Sequence, residues 1–155
     1  MSTEENKAIA RRCMDLINQK NIAAIDQLYA PTYTRHDPNS TWVVNREDYK
    51  EDVKILTTVF PDLHFTVEDL VAEEDKVACR FSIFGTHGAP WRGLPATGKQ
   101  VRVTGVCISR IVEGKVVEDW FNTDIFGIAQ QLGVIPPNST RDKVHADTTK
   151  DKARS

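Results

Sequence analysis

The spacing of apolar residues changes at Pro61, and this change constrains the fold of the chain most strongly. Before Pro61, apolar side chains recur at three- and four-residue intervals, which predicts three helices, and Asn45 is a good cap for the third. After Pro61, the pattern predicts four strands, at 63–73, 76–86, 100–112 and 116–124. A short helix is predicted at 125–132. Helices followed by consecutive strands predict an α+β domain rather than a parallel α/β fold.

The length and charge of the chain limit its domain organisation and partners. The 155 residues fit one domain, which we place at 1–135, followed by a polar tail at 136–155. The net charge is −2 and the basic residues are scattered, which argues against a nucleic-acid or anionic-membrane partner. No apolar stretch approaches the roughly 20 residues needed to cross a bilayer.

The cysteines indicate a reducing compartment. Cys13, Cys79 and Cys107 are odd in number and widely spaced, and they form no Cys-x-x-Cys or Cys/His ligand pattern. A disulfide framework or zinc site is therefore not expected. The N-terminus begins with polar and acidic residues instead of an apolar signal segment. These features predict a cytoplasmic protein without a bound metal.

The last two long strands are joined by a hairpin whose register decides which side chains meet. A three-residue loop of Glu113, Gly114 and Lys115, with the glycine left-handed, pairs Arg110 with Glu118. It also pairs three further positions: Ile108 with Trp120, Val106 with Asn122, and Thr104 with Asp124. A two-residue loop would shift the register and separate these sets. We favour the first register.

Strand alternation places Glu118, Trp120, Asn122 and Asp124 on one side of the last strand. A mixture of one large aromatic and three polar side chains suits a pocket wall, and a half-covered edge strand is the alternative. In the favoured register Ile108 and Arg110 join this face. The opposite face is apolar and predicts a homodimer formed through the sheet; it carries Val101, Val103, Cys107 and Ile111.

Candidate chemistry is limited to proton transfer, because the chain has no G-x-S-x-G motif and no phosphate-binding glycine loop. Asp124 lies among apolar neighbours in the sequence, where burial would raise its pKa and suit it to acid/base catalysis. The alternative is that Asp124 caps the following helix. His36 is a candidate second proton carrier or a turn residue. His87 lies either at a pocket mouth or in an exposed loop.

Three aromatic residues are candidates for lining a cavity: Phe60, Trp42 and Trp91. Their alternative is ordinary core packing, which is the commoner fate of aromatic side chains. Neither His36 nor His87 has an i, i+4 helical partner, so metal binding has little support.

The chain resembles the SnoaL-like polyketide cyclases of the nuclear-transport-factor-2-like superfamily over about residues 5–134. The motifs that carry the resemblance are Gly85-Thr86-His87-Gly88, Gly93-Leu94-Pro95-Ala96-Thr97-Gly98-Lys99, Gly114 to Trp120, Asp124, and Gln131-Leu132-Gly133, with the earlier His36-Asp37-Pro38 and Phe60-Pro61-Asp62.

The resemblance implies a cone-shaped fold, in which helices pack on a strongly curved antiparallel sheet around a deep pocket. Characterised cyclases close a ring by an intramolecular aldol step without metal or cofactor, and Asp124 matches the position of their acid/base aspartate. They share polar partners such as His or Gln on the preceding strand, where this chain has Val106, Ile108 and Arg110.

These observations predict a cofactor-free cyclase or isomerase that acts on a small apolar carbonyl compound. Asp124 would transfer the proton, assisted by His36, Arg110 or Asn122. The two alternatives are a non-catalytic binder of small molecules, and an epoxide hydrolase in which Asp124, Asn122 and Arg110 would hold a water molecule.

Overall fold

The computed structural model of the protein describes residues 1–136. In chain order the elements are α1 (Thr3–Asn18), a 3₁₀ turn (Ile22–Ala24), α2 (Ile25–Leu28), β1 (Tyr29–His36), β2 (Val44–Asn45), α3 (Arg46–Val59), β3 (His64–Glu73), β4 (Lys76–Thr86), β5 (Gln100–Val112), β6 (Lys115–Thr123) and α4 (Ile125–Gln131). Apart from its first residue, the predicted polar tail lies outside the described residues. Within them, no helix is long and apolar enough to cross a membrane.

The two long helices begin at side-chain caps that the sequence encodes. Ser2 and Glu5 form a capping box at the start of α1, and Asn45 and Asp48 form another at the start of α3. Each box satisfies backbone N–H groups that have no partner within the helix. Both helices then turn an apolar stripe towards the sheet.

The six strands form one sheet in the order β2-β1-β6-β5-β4-β3. The predicted α+β fold, with helices packed on a curved sheet, is confirmed. One pairing differs from the expected antiparallel pattern, because β1 runs parallel to β6. The long connection from β1 through α3 to the later strands permits this parallel pairing.

The hairpin between β5 and β6 has the predicted register but a different loop. Arg110 pairs with Glu118, as expected. The loop contains two residues, Glu113 and Gly114, with φ angles of 49° and 79°. Val117 is left without a partner in the ladder, and this one-residue bulge restores the register that a two-residue loop would otherwise shift.

The prediction of which sheet face is enclosed is wrong. The concave face, packed against the helices, carries the apolar set that was expected to lie outside; Val101, Val103, Cys107 and Ile111 are all buried. The convex face carries Ile108, Val106 and Trp120. The helices of the same chain cover the more apolar face of the sheet, because burial of apolar side chains is favourable. The face that mixes polar and apolar residues is therefore the convex one.

We therefore expect the predicted homodimer, which stays a prediction, to form through the convex face. Ile108 and Val106 are 39% and 44% exposed there. Ile108→Glu would bury a charge in such an interface and should give a monomeric mass by light scattering at micromolar concentration. Val134→Glu, at a residue 57% exposed, is the control and should keep the wild-type mass. A monomeric wild type would contradict the prediction.

Candidate functional site

A cavity of about 220 Å³ lies between the concave face and the helices. Most of its wall is apolar and comes from α1, β3, β4, β5 and α4. Most of the polar side chains of the lining lie on the side formed by β1, the following loop, α3 and β6; they include Arg35, Asp37, Asn39, Tyr49, Asp52 and Asp119, while Ser109 and Arg92 lie elsewhere in the wall. The cavity therefore suits a molecule with an apolar body and one polar end.

Asp119 is the most deeply buried carboxylate of this wall, with 5% of its surface exposed. It lies on β6 directly across the ladder from Ser109, and the Tyr33 hydroxyl donates a hydrogen bond of 2.8 Å to its Oδ2. Among residues 1–136, its Oδ1 has no hydrogen-bond partner. Burial raises the pKa of Asp119. The polar neighbours Ser109 and Tyr33 and the positive charge of Arg35 act in the opposite direction and lower it, but burial is the largest effect.

Arg35 brings a positive charge to the same wall. Its guanidinium carbon lies 3.8 Å from the centroid of the Phe121 ring, and one guanidinium nitrogen lies 3.7 Å from Asp37 Oδ2. Its Nε has no hydrogen-bond partner within the part of the chain that the structure describes. A guanidinium held flat on an aromatic ring keeps a fixed orientation, so Arg35 can stabilise negative charge that develops on a bound molecule.

Hydroxyl groups and thiols complete the cavity lining. The Tyr29 and Tyr49 hydroxyls lie 3.4 Å apart, and burial raises the pKa of both, so they stay neutral. Burial also raises the pKa of Cys13 to about 12 and that of Cys79 to about 11. Such thiols are protonated and inert at neutral pH. Partial burial raises the pKa of Asp52.

Asp124 does not lie in the cavity wall. Its carboxylate is exposed and accepts a hydrogen bond of 2.8 Å from the backbone N–H of Gly127, which caps α4. The helix-cap alternative is therefore confirmed, and the predicted position in the pocket is wrong. A side chain at position 127 would collide with this carboxylate, so the glycine leaves room for the cap. The catalytic role of Asp124 stays a prediction.

Two of the aromatic candidates, Phe60 and Trp91, line the cavity. His87 was expected at its mouth or in an exposed loop, but it is fully buried. The backbone N–H of Thr97 donates to its Nδ1 at 3.2 Å, and its ring lies against Phe60 with the centroids 5.9 Å apart. His87 therefore packs behind the cavity wall and supports the loop between β4 and β5.

The remaining predicted site residues lie on the convex side. His36 stacks on Trp120 with ring centroids 5.6 Å apart, and its Nε2 lies 3.8 Å from Glu118. An open surface groove brings together four of the predicted residues, His36, Trp42, Trp120 and Asn122. Ile108 and Arg110 share this face, in register with Trp120 and Glu118. None of these six lines the cavity.

The sequence interpretation missed Asp119, Arg35 and Tyr33. One signal could have identified Asp119, because the favoured register pairs it with Ser109, on the same strand face as Cys107 and Ile111. A single carboxylate on an otherwise apolar face indicates a buried acid. No comparable signal marked Arg35, whose neighbours in sequence are polar.

The raised pKa of Asp119 predicts a pH-dependent effect on stability. Because ionisation of Asp119 favours the unfolded chain, the wild type loses stability as the pH rises through the folded-state pKa. Asp119→Asn removes this loss. Relative to wild type it should gain stability as the pH rises above about 4, the ordinary value of an aspartate pKa. Urea unfolding across this range measures the gain.

Asp124→Asn is the matched control for this experiment, since asparagine caps helices as well as aspartate does. Its stability should stay close to that of the wild type. A pH-independent difference between Asp119→Asn and the wild type would contradict the buried-acid interpretation.

Within residues 1–136, no group of three or more histidine, cysteine or acidic side chains is arranged to hold a metal ion.

The sequence profile of the SnoaL-like polyketide cyclase family matches residues 7–132. The chain therefore belongs to the SnoaL-like polyketide cyclase family. No curated protein matches it in sequence.

Solved structures of similar fold agree with this membership. AclR, a candidate hydroxylase from Streptomyces galilaeus, is 29% identical with a TM-score of 0.80, over 87% of this chain and 100% of AclR. A candidate polyketide cyclase from Acidithiobacillus ferrooxidans is 33% identical with a TM-score of 0.76, over 85% and 97%. IdmH, a candidate polyketide cyclase from Streptomyces antibioticus, is 27% identical with a TM-score of 0.76, over 83% and 98%.

Proposed function

We propose that the protein is a cofactor-free enzyme of the cyclase or isomerase type, which acts on a small apolar carbonyl compound with Asp119 as the proton-transfer group. Family membership supports cyclase- or isomerase-type function. The observation that carries the proposal is a buried carboxylate of raised pKa in the wall of a mostly apolar cavity, on the same side as a guanidinium.

The chemistry follows from these two side chains. The Asp119 carboxylate removes a proton from a carbon next to a carbonyl group, and the electron pair of the broken C–H bond moves onto the carbonyl oxygen. Arg35 stabilises the resulting enolate oxygen. In a ring closure, the enolate carbon bonds to a second carbonyl carbon and Asp119 returns the proton to the new alkoxide. In an isomerisation, Asp119 returns it to a different carbon.

The surroundings of Asp119 favour it over Asp124 for this role. A carboxylate in water is a weak base, whereas burial raises its pKa towards neutrality and improves proton transfer. Asp119 is 5% exposed and held by Tyr33, while Asp124 is exposed and engaged with the backbone of α4. Asp124 remains the alternative that the family resemblance suggests.

Epoxide hydrolysis is a second candidate, favoured by one specific observation. The Arg35 guanidinium lies beside the Asp37 carboxylate, and its positive charge lowers the pKa of Asp119. Asn39 belongs to the same wall of the cavity. This set supplies the carboxylate, arginine and asparagine that can hold a water molecule. Asp119 would take a proton from this water molecule as the water oxygen bonds to an epoxide carbon, and it would then return the proton to the alkoxide oxygen of the opened ring.

A substrate screen with matched variants tests the proposal. β-Keto esters, small polyketide mimics and epoxides are incubated with wild type, Asp119→Asn and Asp124→Asn, and the products are identified by mass spectrometry. Turnover that depends on Asp119 supports the proposal, and the product class selects between the two chemistries. Turnover that depends on Asp124 alone would overturn the assignment. Equal binding by all three forms without turnover would establish a binding protein.

A further inference from the structure

The size of the cavity limits the size of the molecule it can hold. At about 220 Å³ it is smaller than the roughly 300–1,000 Å³ typical of sites for drug-sized ligands. An engineered apolar cavity of about 150 Å³ is filled by one benzene molecule. A single substituted ring or a short chain therefore fits this cavity with room to spare, whereas three fused rings would fill it tightly.

A small hairpin in the connection between β4 and β5 closes one side of the cavity. Trp91 and Leu94 exchange two backbone hydrogen bonds of 2.9 Å. The two residues between them, Arg92 and Gly93, have φ angles of 49° and 80°, which is the geometry of a tight two-residue turn. Trp91 and Leu94 are partly buried and pack against the core. The hairpin thus presents Trp91 to the cavity from a well-defined backbone.

The Trp91 ring contacts two neighbours. It packs edge-on against Phe60, with ring centroids 6.1 Å apart, and the Arg92 guanidinium carbon lies 5.2 Å from its centroid. Phe60 is backed by Gly85, where an added Cβ would lie 3.0 Å from the Phe60 Cβ. Phe60 therefore cannot retreat easily, and the space available to a ligand depends on Trp91.

We propose that Trp91 sets the upper size limit of the ligand, so that the protein selects single-ring or short-chain carbonyl compounds over multi-ring ones. The inference rests on the proposed function for the carbonyl chemistry. The size limit itself is a matter of binding and is measured without turnover. Loss of the indole ring enlarges the cavity but leaves intact the backbone hydrogen bonds that form the hairpin.

The test measures binding of β-diketones that carry a phenyl, naphthyl or anthracenyl group, by isothermal titration calorimetry. Wild type should bind the phenyl compound and lose affinity as rings are added. Trp91→Ala should bind the anthracenyl compound at least about ten-fold more tightly than wild type, in the range that pocket size commonly discriminates. Trp91→Phe keeps an aromatic ring, and its affinity for the anthracenyl compound should lie between those of wild type and Trp91→Ala. This variant still tests the inference if the alanine variant does not fold.

Trp42→Ala is the matched control, because it removes the same side chain from a position that is 65% exposed and outside the cavity. It should bind all three compounds as wild type does. The inference is overturned if wild type binds the anthracenyl compound as tightly as the phenyl compound, or binds none of them. It is also overturned if Trp91→Ala and Trp42→Ala behave alike. A size limit without Asp119-dependent turnover would refute only the proposed function.

Discussion

Asp119→Asn is expected to turn over a substrate of the wild-type enzyme about 10²–10⁴-fold more slowly, while it binds that substrate with similar affinity. Asparagine keeps the shape of the side chain, and its carbonyl oxygen can still accept the Tyr33 hydrogen bond that Asp119 Oδ2 accepts at 2.8 Å. It cannot take a proton. The loss should therefore fall on kcat and leave KM largely unchanged.

The pH profile provides an independent check on this role. Wild-type kcat/KM should rise with pH through the pKa of Asp119, which burial raises above its ordinary value. The residual activity of Asp119→Asn should lack that rise. Asp124→Asn keeps its helix cap and should retain both the wild-type rate and the wild-type profile. Wild-type turnover by Asp119→Asn would end the assignment.

Gly105→Ala is expected to destabilise the protein by about 3 kcal/mol, at the upper end of the range for overpacked cores. A Cβ at this position would lie 2.6 Å from the backbone carbonyl oxygen of Asn122 and 2.6 Å from Phe81 Cζ. Phe81 lies across Gly105 and stacks on Phe121, with ring centroids 5.2 Å apart. Accommodating one methyl group would therefore displace both a strand and a core ring.

Thermal unfolding measures this effect, and the melting temperature should fall by about 6–12 °C. Gly88→Ala is the control, because its Cβ would lie 3.3 Å from the edge of the Pro61 ring and 3.8 Å from the Thr86 carbonyl oxygen, which needs only a small adjustment. It should change the melting temperature little. Phe81→Leu in the Gly105→Ala background should recover part of the loss if the Phe81 ring is one of the obstacles. If Gly105→Ala melted at the same temperature as wild type, β5 and β6 would have to move apart at no cost to accommodate the methyl group, which would contradict the prediction.

The sequence predicted the order and boundaries of the elements more accurately than the location of the site. Strands β4 and β5 have their expected bounds, Lys76–Thr86 and Gln100–Val112, because long runs of β-branched and aromatic residues end at clear turn signals. Asn45 caps α3 as expected, since its side-chain oxygen accepts a hydrogen bond from the backbone N–H of Asp48.

Alternation divides β6 correctly into two faces but does not identify the enclosed one. Trp120 suggested a pocket, whereas the enclosed face is the one that carries Asp119 and Phe121. The apolar residues opposite them on β5 were the better guide, because a chain of this size buries its most apolar sheet face against its own helices. Arg35 enters the cavity from a strand on which polar and apolar residues mix, so its position depends on the tertiary fold.

The bulge at Val117 has an evolutionary consequence. In the observed register Asp119 lies across the ladder from Ser109. If Val117 were instead paired regularly, Glu118 would occupy the position of Asp119, and Trp120 would replace Phe121 on the enclosed face. Deletion of Val117 would remove the bulge and leave Asp119 opposite Ser109, whereas regular pairing of a retained Val117 would exchange the acid, the aromatic wall and the outer surface together. Homologous sequences that differ in length at this hairpin should be aligned by strand face, since an alignment gap placed one residue away assigns the position of Asp119 to the wrong side chain.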